Sequence, residues 1–236
     1  MVALLVVLTF IAFVALDFYL EKRSVRIAVH HAIGRAPPPL PATIQPVPAG
    51  VFLQPTWTWS RIGESGELYV GIHPMLLSLV GAPVELDCRV PGERIAKGEP
   101  LARLGTGGKR LTVRSPVEAR VELVNYPAVG GAEPWAPAEG PNATWLYRLT
   151  PEHVGTEIGG WLTGEPATAW TRRKYGELRN YLQGAVADRH LGAVMADGGE
   201  LPVGILGEMD ERVWSAVDER LMYEAGAGRA AMETTP

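Results

Sequence analysis

The sequence predicts a mainly β domain with a membrane-spanning helix before it and amphipathic helices behind it. Three observations carry that expectation: an apolar run at the N-terminus, a middle stretch in which Gly and Pro punctuate short alternating runs, and a C-terminal quarter with helical periodicity. The 236 residues are about one and a half usual domain lengths, which excludes a large multidomain enzyme. Apolar residues make up 47% and charged residues 20%, a globular balance, and the 27 Gly and 20 Pro follow no collagen-like period. A formal net charge of -4 argues against a phosphate-neutralising surface, so no nucleic-acid partner is expected. Cys88, the single cysteine, cannot close an internal disulfide or build a thiolate metal cluster.

Residues 2–20 are interrupted only by Thr9 and Asp17 and would rise roughly 28 Å as a helix, enough to cross a bilayer. No basic residue precedes the run and Asp17-Phe18-Tyr19-Leu20-Glu21 closes it, so it reads as a retained anchor in contact with lipid rather than a cleaved signal. Tyr19 falls in the interfacial belt and Asp17 at headgroup level. Lys22, Arg23, Arg26 and Arg35 all follow the run, which places the C-terminal bulk in the cytoplasm of a single-pass inner-membrane protein. The expected organisation is an anchor over 1–23, a Pro-rich strap over 24–55, a β domain over 56–150, a helical extension over 151–225 and a tail over 226–236. The prolines of the strap impose extended chain at roughly 3 Å per residue. Its apolar members, Leu40, Ile44, Val47 and Phe52 among them, predict that it lies against a partner. His30 and His31 are neighbours that a helix would splay about 100° apart, a poor chelating pair.

In the β domain, residues 68–72 read as a strand and 74–81 as a short helical turn. Residues 84–90 alternate, with Val84, Leu86, Cys88 and Val90 inward, which makes Cys88 a core residue. Residues 100–104 and 110–114 flank Gly105-Thr106-Gly107-Gly108-Lys109, a hairpin tip whose glycines supply positive φ. The tip is not a phosphate loop, because a strand rather than a helix follows Lys109. Residues 118–124 alternate with Ala119, Val121 and Leu123 on the inner face. His73, His153 and His190 sit in separate segments without local partners, and no nucleophile constellation is present, so no catalysis and no metal site are expected. His73, just before Pro74, reads as a capping or otherwise satisfied residue rather than a base.

In the helical extension, 166–184 carries Trp170, Tyr175, Leu178 and Tyr181-Leu182 at helical spacing with Arg172 and Arg173 opposite, and Trp170, Tyr175 and Tyr181 are candidate partner contacts. Residues 208–223 repeat the pattern with Met209, Val213, Val217 and Leu221 on the apolar stripe and Asp210, Glu211, Asp218 and Glu219 opposed. Residues 202–207 link the two helices across the barrel.

Several landmarks run in an order that resembles the glycine cleavage system H protein and its lipoyl-domain relatives. They are Trp57-Thr58-Trp59, Tyr69-Val70-Gly71-Ile72, residues 79–86, residues 91–100, Ser115-Pro116-Val117 with Val121-Glu122-Leu123-Val124-Asn125, and residues 145–149. The resemblance implies a flattened lipoyl/H-protein-like β-barrel hybrid in which lipoate is amide-linked to a lysine at a hairpin tip. Counted back seven residues from Ser115, the family's lysine position is Gly108, with Lys109 one place beyond it. Where the family places a carboxylate three residues before its lysine, this chain has Gly105. A one-residue slip along a strand reverses the face of a side chain. The expected function is therefore a non-catalytic accessory or scaffold subunit, without cofactor, docked on subunits of a larger bacterial membrane energy-transducing complex of photosynthetic reaction-centre or respiratory type. The layout of one helix, one strap and one cytoplasmic β domain is similar to the H subunit of purple-bacterial reaction centres. The alternative expectation is a membrane-tethered lipoyl carrier acting through Lys109.

Overall fold

The computed structural model describes residues 31–33, 40, 44–81, 84–125, 144–187 and 201–219. The expected anchor over 2–20, the cations Lys22, Arg23, Arg26 and Arg35, His30, His190, Leu221 and the tail lie outside the described residues. Among the described residues no helix is long and apolar enough to cross a membrane.

The chain is mainly β, with two antiparallel sheets and helices toward the C-terminus. Ten strands occur: β1 (His31–Ile33), β2 (Phe52–Gln54), β3 (Thr58–Ile62), β4 (Leu68–Ile72), β5 (Val84–Cys88), β6 (Arg94–Ile95), β7 (Pro100–Thr106), β8 (Lys109–Arg114), β9 (Ala119–Val124) and β10 (Tyr147–Pro151). One sheet has the order β1-β5-β7-β8 and the other β2-β3-β4-β10-β9-β6. The alternation in the sequence sets which side chains face inward: Leu86, Leu104, Leu111 and Val113 from the first sheet, Val70, Val121, Tyr147 and Leu149 from the second, all buried. Tyr147 ties the two sheets together, since its hydroxyl donates to the Leu101 carbonyl at 2.8 Å and accepts from the Arg89 amide at 2.9 Å.

Four α-helices are described: α1 (Pro74–Val80), α2 (Val154–Glu157), α3 (Gly164–Ala187) and α4 (Glu211–Val217). Pro74 opens α1, where a missing N–H costs nothing, and His73 caps it by accepting from the Met75 amide at 3.2 Å. In α3, Ala167, Trp170, Thr171, Tyr175, Leu178 and Leu182 form one buried stripe while Arg172 and Arg173 stay exposed, the pattern its 3.6-residue period predicts.

Two departures from the sequence expectations have clear causes. Leu123 is 42% exposed instead of inward, because the pairing of β9 with β10 shifts register between Arg148 and Leu149. That bulge consumes one residue of the inward alternation after Val121. The second departure is in the strap, which supplies two strands. β1 pairs with β5, with His31 opposite Leu86, and β2 pairs with β3, with Leu53 opposite Trp59. Leu40, Val47, Val51 and Leu53 are buried in the core, Ile44 packs against it, and the Phe52 ring meets Trp161 at 5.8 Å. The Val47 amide is held by Thr168 Oγ1 of α3 at 3.1 Å. The chain itself thus takes up the apolar surface of these residues. The same holds for Trp170 and Tyr175, both buried, and for Tyr181, half-buried against the core.

Candidate functional site

The β7–β8 hairpin turns through two residues, Gly107 at φ 57° and Gly108 at φ 85°. Positive φ at both central positions is what a tight hairpin turn between right-twisted strands requires, and glycine alone adopts it without steric cost. Lys109 therefore belongs to β8 as its first residue and is not at the apex. Its ε-ammonium donates to the carbonyls of Gly207 at 3.1 Å and Met209 at 2.5 Å. The Trp214 ring lies 5.7 Å from the same nitrogen, within cation–π range. Both carbonyls close the short 3-10 turn Ile205–Glu208, and carbonyls at the end of a helical turn carry partial negative charge that favours a cation.

The segment that supplies these partners is seated by its own contacts. The Gly204 amide donates to the Ser78 carbonyl of α1 at 2.8 Å, and the Trp214 indole donates to the Leu206 carbonyl at 2.6 Å. Asp210 caps α4 by accepting from the Val213 amide at 3.0 Å. Asp218, read from sequence as part of a solvated face, instead accepts from the Thr112 amide of β8 at 2.8 Å. Burial pushes the Asp218 carboxyl above its ordinary value, opposed by that amide and by Arg114 and Arg103. β8 is the outer strand of its sheet, so α4 covers an edge that would otherwise offer free backbone groups.

Gly105 has a local reason. A Cβ there would stand 1.8 Å from the Lys109 carbonyl oxygen and 3.0 Å from Arg110 Cδ. The space it leaves lets Arg110 reach across β7 to Glu85 at 2.6 Å and Asp87 at 3.7 Å.

The remaining candidates fall outside this site. His73 is fully buried, and desolvation lowers its pKa to about 3. It serves as the α1 cap that the sequence indicates. Burial raises the Cys88 thiol to about 11, so it stays protonated and inert at neutral pH. The β9–β10 pairing brings Glu118 beside the chain neighbours Glu152 and His153, a non-local proximity that the sequence does not show. All three are exposed, and Glu152 faces Arg94 at 3.8 Å.

The apex of the turn has no side chain, and the Lys109 amine beside it is engaged by two carbonyls and an indole. Sequence reasoning missed the partners of Lys109. Backbone carbonyls leave no residue signature, although Trp214 beside the Met209, Val213 and Val217 stripe is a signal for a packed helix.

No family model matches the chain. It is 25% identical over 114 residues to the glycine cleavage system H protein 2 of Aquifex aeolicus, covering 46% of this chain and 67% of that one. It is 28% and 27% identical over 109 residues to the glycine cleavage system H proteins of Methylococcus capsulatus and Aromatoleum aromaticum, covering 46% of this chain and 84% of each relative. Among solved structures, a glycine cleavage system H protein from Mycobacterium marinum overlays with a TM-score of 0.40 at 20% identity, covering 53% of this chain and 98% of that one. Over just under half its length, the chain is similar in sequence to glycine cleavage system H proteins.

Proposed function

We propose that the chain is a membrane-tethered, H-protein-like module without a swinging arm. It serves as a non-catalytic accessory or scaffold subunit on a larger membrane complex of energy-transducing type. The observation that carries this reading is the hairpin tip: glycine stands at the apex, and the adjacent Lys109 amine is spent on the carbonyls of Gly207 and Met209. Similarity to H proteins supports the identity of the module, and the apolar run over 2–20 supports the tether.

The test is the intact mass of the protein isolated from native membranes, together with the identity of what co-purifies. A mass equal to the unmodified sequence, with integral membrane subunits retained, is the expected result. A mass one lipoyl group heavier favours the second reading, a membrane-tethered lipoyl carrier acting through Lys109. The sequence similarity to H proteins supports that reading equally.

A further inference from the structure

Where β10 ends beside the start of β9, an imidazole stands with two carboxylates that belong to different strands. We infer that Glu118, Glu152 and His153 form a binding site for a divalent transition-metal ion, with Zn2+ as the ion that the donor set suits. The inference is independent of whether Lys109 carries an arm.

The donor atoms, two carboxylate oxygens and one imidazole nitrogen, all lie within 4.8 Å of one another. The backbone brings them together. Ala119 pairs with Pro151, and directly beyond that pair the Glu152 amide donates to the Glu118 carbonyl at 3.0 Å. In a continuing strand the neighbours Glu152 and His153 would point to opposite faces. Here β10 ends at Pro151, and the chain bends through both residues before α2 begins at Val154. The bend lets both side chains approach Glu118. The backbone at the bend is held too, since the His153 carbonyl accepts from the Thr156 amide at 3.2 Å and from its hydroxyl at 2.9 Å.

All three side chains are exposed, so an ion reaches them without opening either sheet. Rotation of the side chains brings the donors to the separation of about 3.3 Å that tetrahedral bonds of about 2 Å require. The two carboxylates balance the charge of a dication. The imidazole distinguishes the cluster from an acidic patch, because a nitrogen donor favours Zn2+ over Mg2+, which prefers oxygen and keeps its water. Three protein donors leave a fourth position for water or for a group on another molecule. Arg94 is the resident competitor: its guanidinium lies 3.8 Å from Glu152 Oε1 in an exposed pair of the kind that contributes little, so a dication displaces it. Glu157, the next carboxylate along the chain, is engaged by Lys97 and stays outside the set.

The experiment titrates Zn2+ by calorimetry into the full recombinant chain in detergent micelles, after a chelator has removed any bound metal. E118Q and H153A should each weaken binding about tenfold or more, since even groups that only orient a metal ligand are worth roughly 10–100-fold. R94A should bind more tightly than the parent, because the competing cation is gone. Mg2+ should bind far more weakly than Zn2+. Each substitution falls on an exposed side chain, so the variants should unfold in urea as the parent does.

Equal Zn2+ affinity in the parent, E118Q and H153A overturns the inference, whether the heat is absent from all three or comes from other histidines of the chain. An R94A affinity no tighter than that of the parent removes Glu152 from the ligand set and overturns the triad. Mg2+ binding as tight as Zn2+ reduces the cluster to an acidic patch and overturns it as well. The native mass, lipoylated or not, bears on none of these outcomes, so this site and the armless reading fail separately.

Discussion

Trp57 holds its backbone at φ 62°, a left-handed conformation that a bulky residue rarely adopts. The cost is of order 1–3 kcal/mol, and it persists only where the surroundings over-determine it. They do so here: the ring is fully buried, 5.1 Å from Trp170 and 5.6 Å from His73. His73 is fixed just as closely. Its Nδ1 accepts from the Met75 amide, so Nε2 carries the proton and donates to Thr171 Oγ1, which in turn donates to the Ala167 carbonyl. Only the neutral ring satisfies that chain, and burial holds its pKa at about 3 against an ordinary 6.5. The unfolded chain takes up a proton below its ordinary pKa while the folded chain does not. Stability from this group is therefore complete above pH 6.5 and is lost as pH falls from there toward 3. Between pH 7 and 5 the loss should reach about 2 kcal/mol. His73→Asn keeps a capping side chain but cannot titrate, so urea unfolding should show a lower starting stability and a shallower decline across that window. Equal declines in parent and variant would remove His73 as the acid-sensitive group.

The β7–β8 hairpin is the element on which the functional reading turns, and Gly105 tests it. Gly105→Ala sets a Cβ against the Lys109 carbonyl, so β8 must shift at its first residue. The expected loss is about 2 kcal/mol or more in urea unfolding, because a backbone clash has no flexible side chain to absorb it. A change within about 0.5 kcal/mol, the range of an ordinary surface substitution, would mean that the hairpin relaxes freely there. Much of the element plan was legible beforehand. The two-glycine turn, α1 between β4 and β5, and the α3 stripe followed from turn chemistry and from periods of 2 and 3.6 residues. What escaped was non-local. The bulge that turns Leu123 outward depends on how β10 aligns with β9, and β1 and β2 are three residues each, too short for a period to show. The partners of Lys109 lie about a hundred residues away in sequence and include backbone carbonyls, so the site was read as a position and not as a contact.

At the scale of the whole molecule, the apolar residues Leu40, Val47, Val51 and Leu53 of the strap are buried in the chain's own core. Deleting residues 1–23 should accordingly leave urea unfolding of the barrel unchanged within about 0.5 kcal/mol, since none of its described core lies there. The same deletion should release the chain from sedimenting native membranes. A truncated chain that still sediments like the parent would move the membrane attachment to the barrel surface.

β1 begins at His31, and this sets a leash. Where residues 2–20 cross a bilayer, only residues 24–30 separate Lys22-Arg23 from the first strand, and seven residues span at most about 25 Å when fully extended. With such an anchor, a module held that closely to lipid would not range freely in search of soluble partners. It searches a thin layer in two dimensions, where a short linker gives a partner in the same membrane an effective concentration in the millimolar range. A contact too weak to survive dilution in solution would be occupied for most of the time in that layer. Such a tether would favour one resident neighbour over many visiting ones.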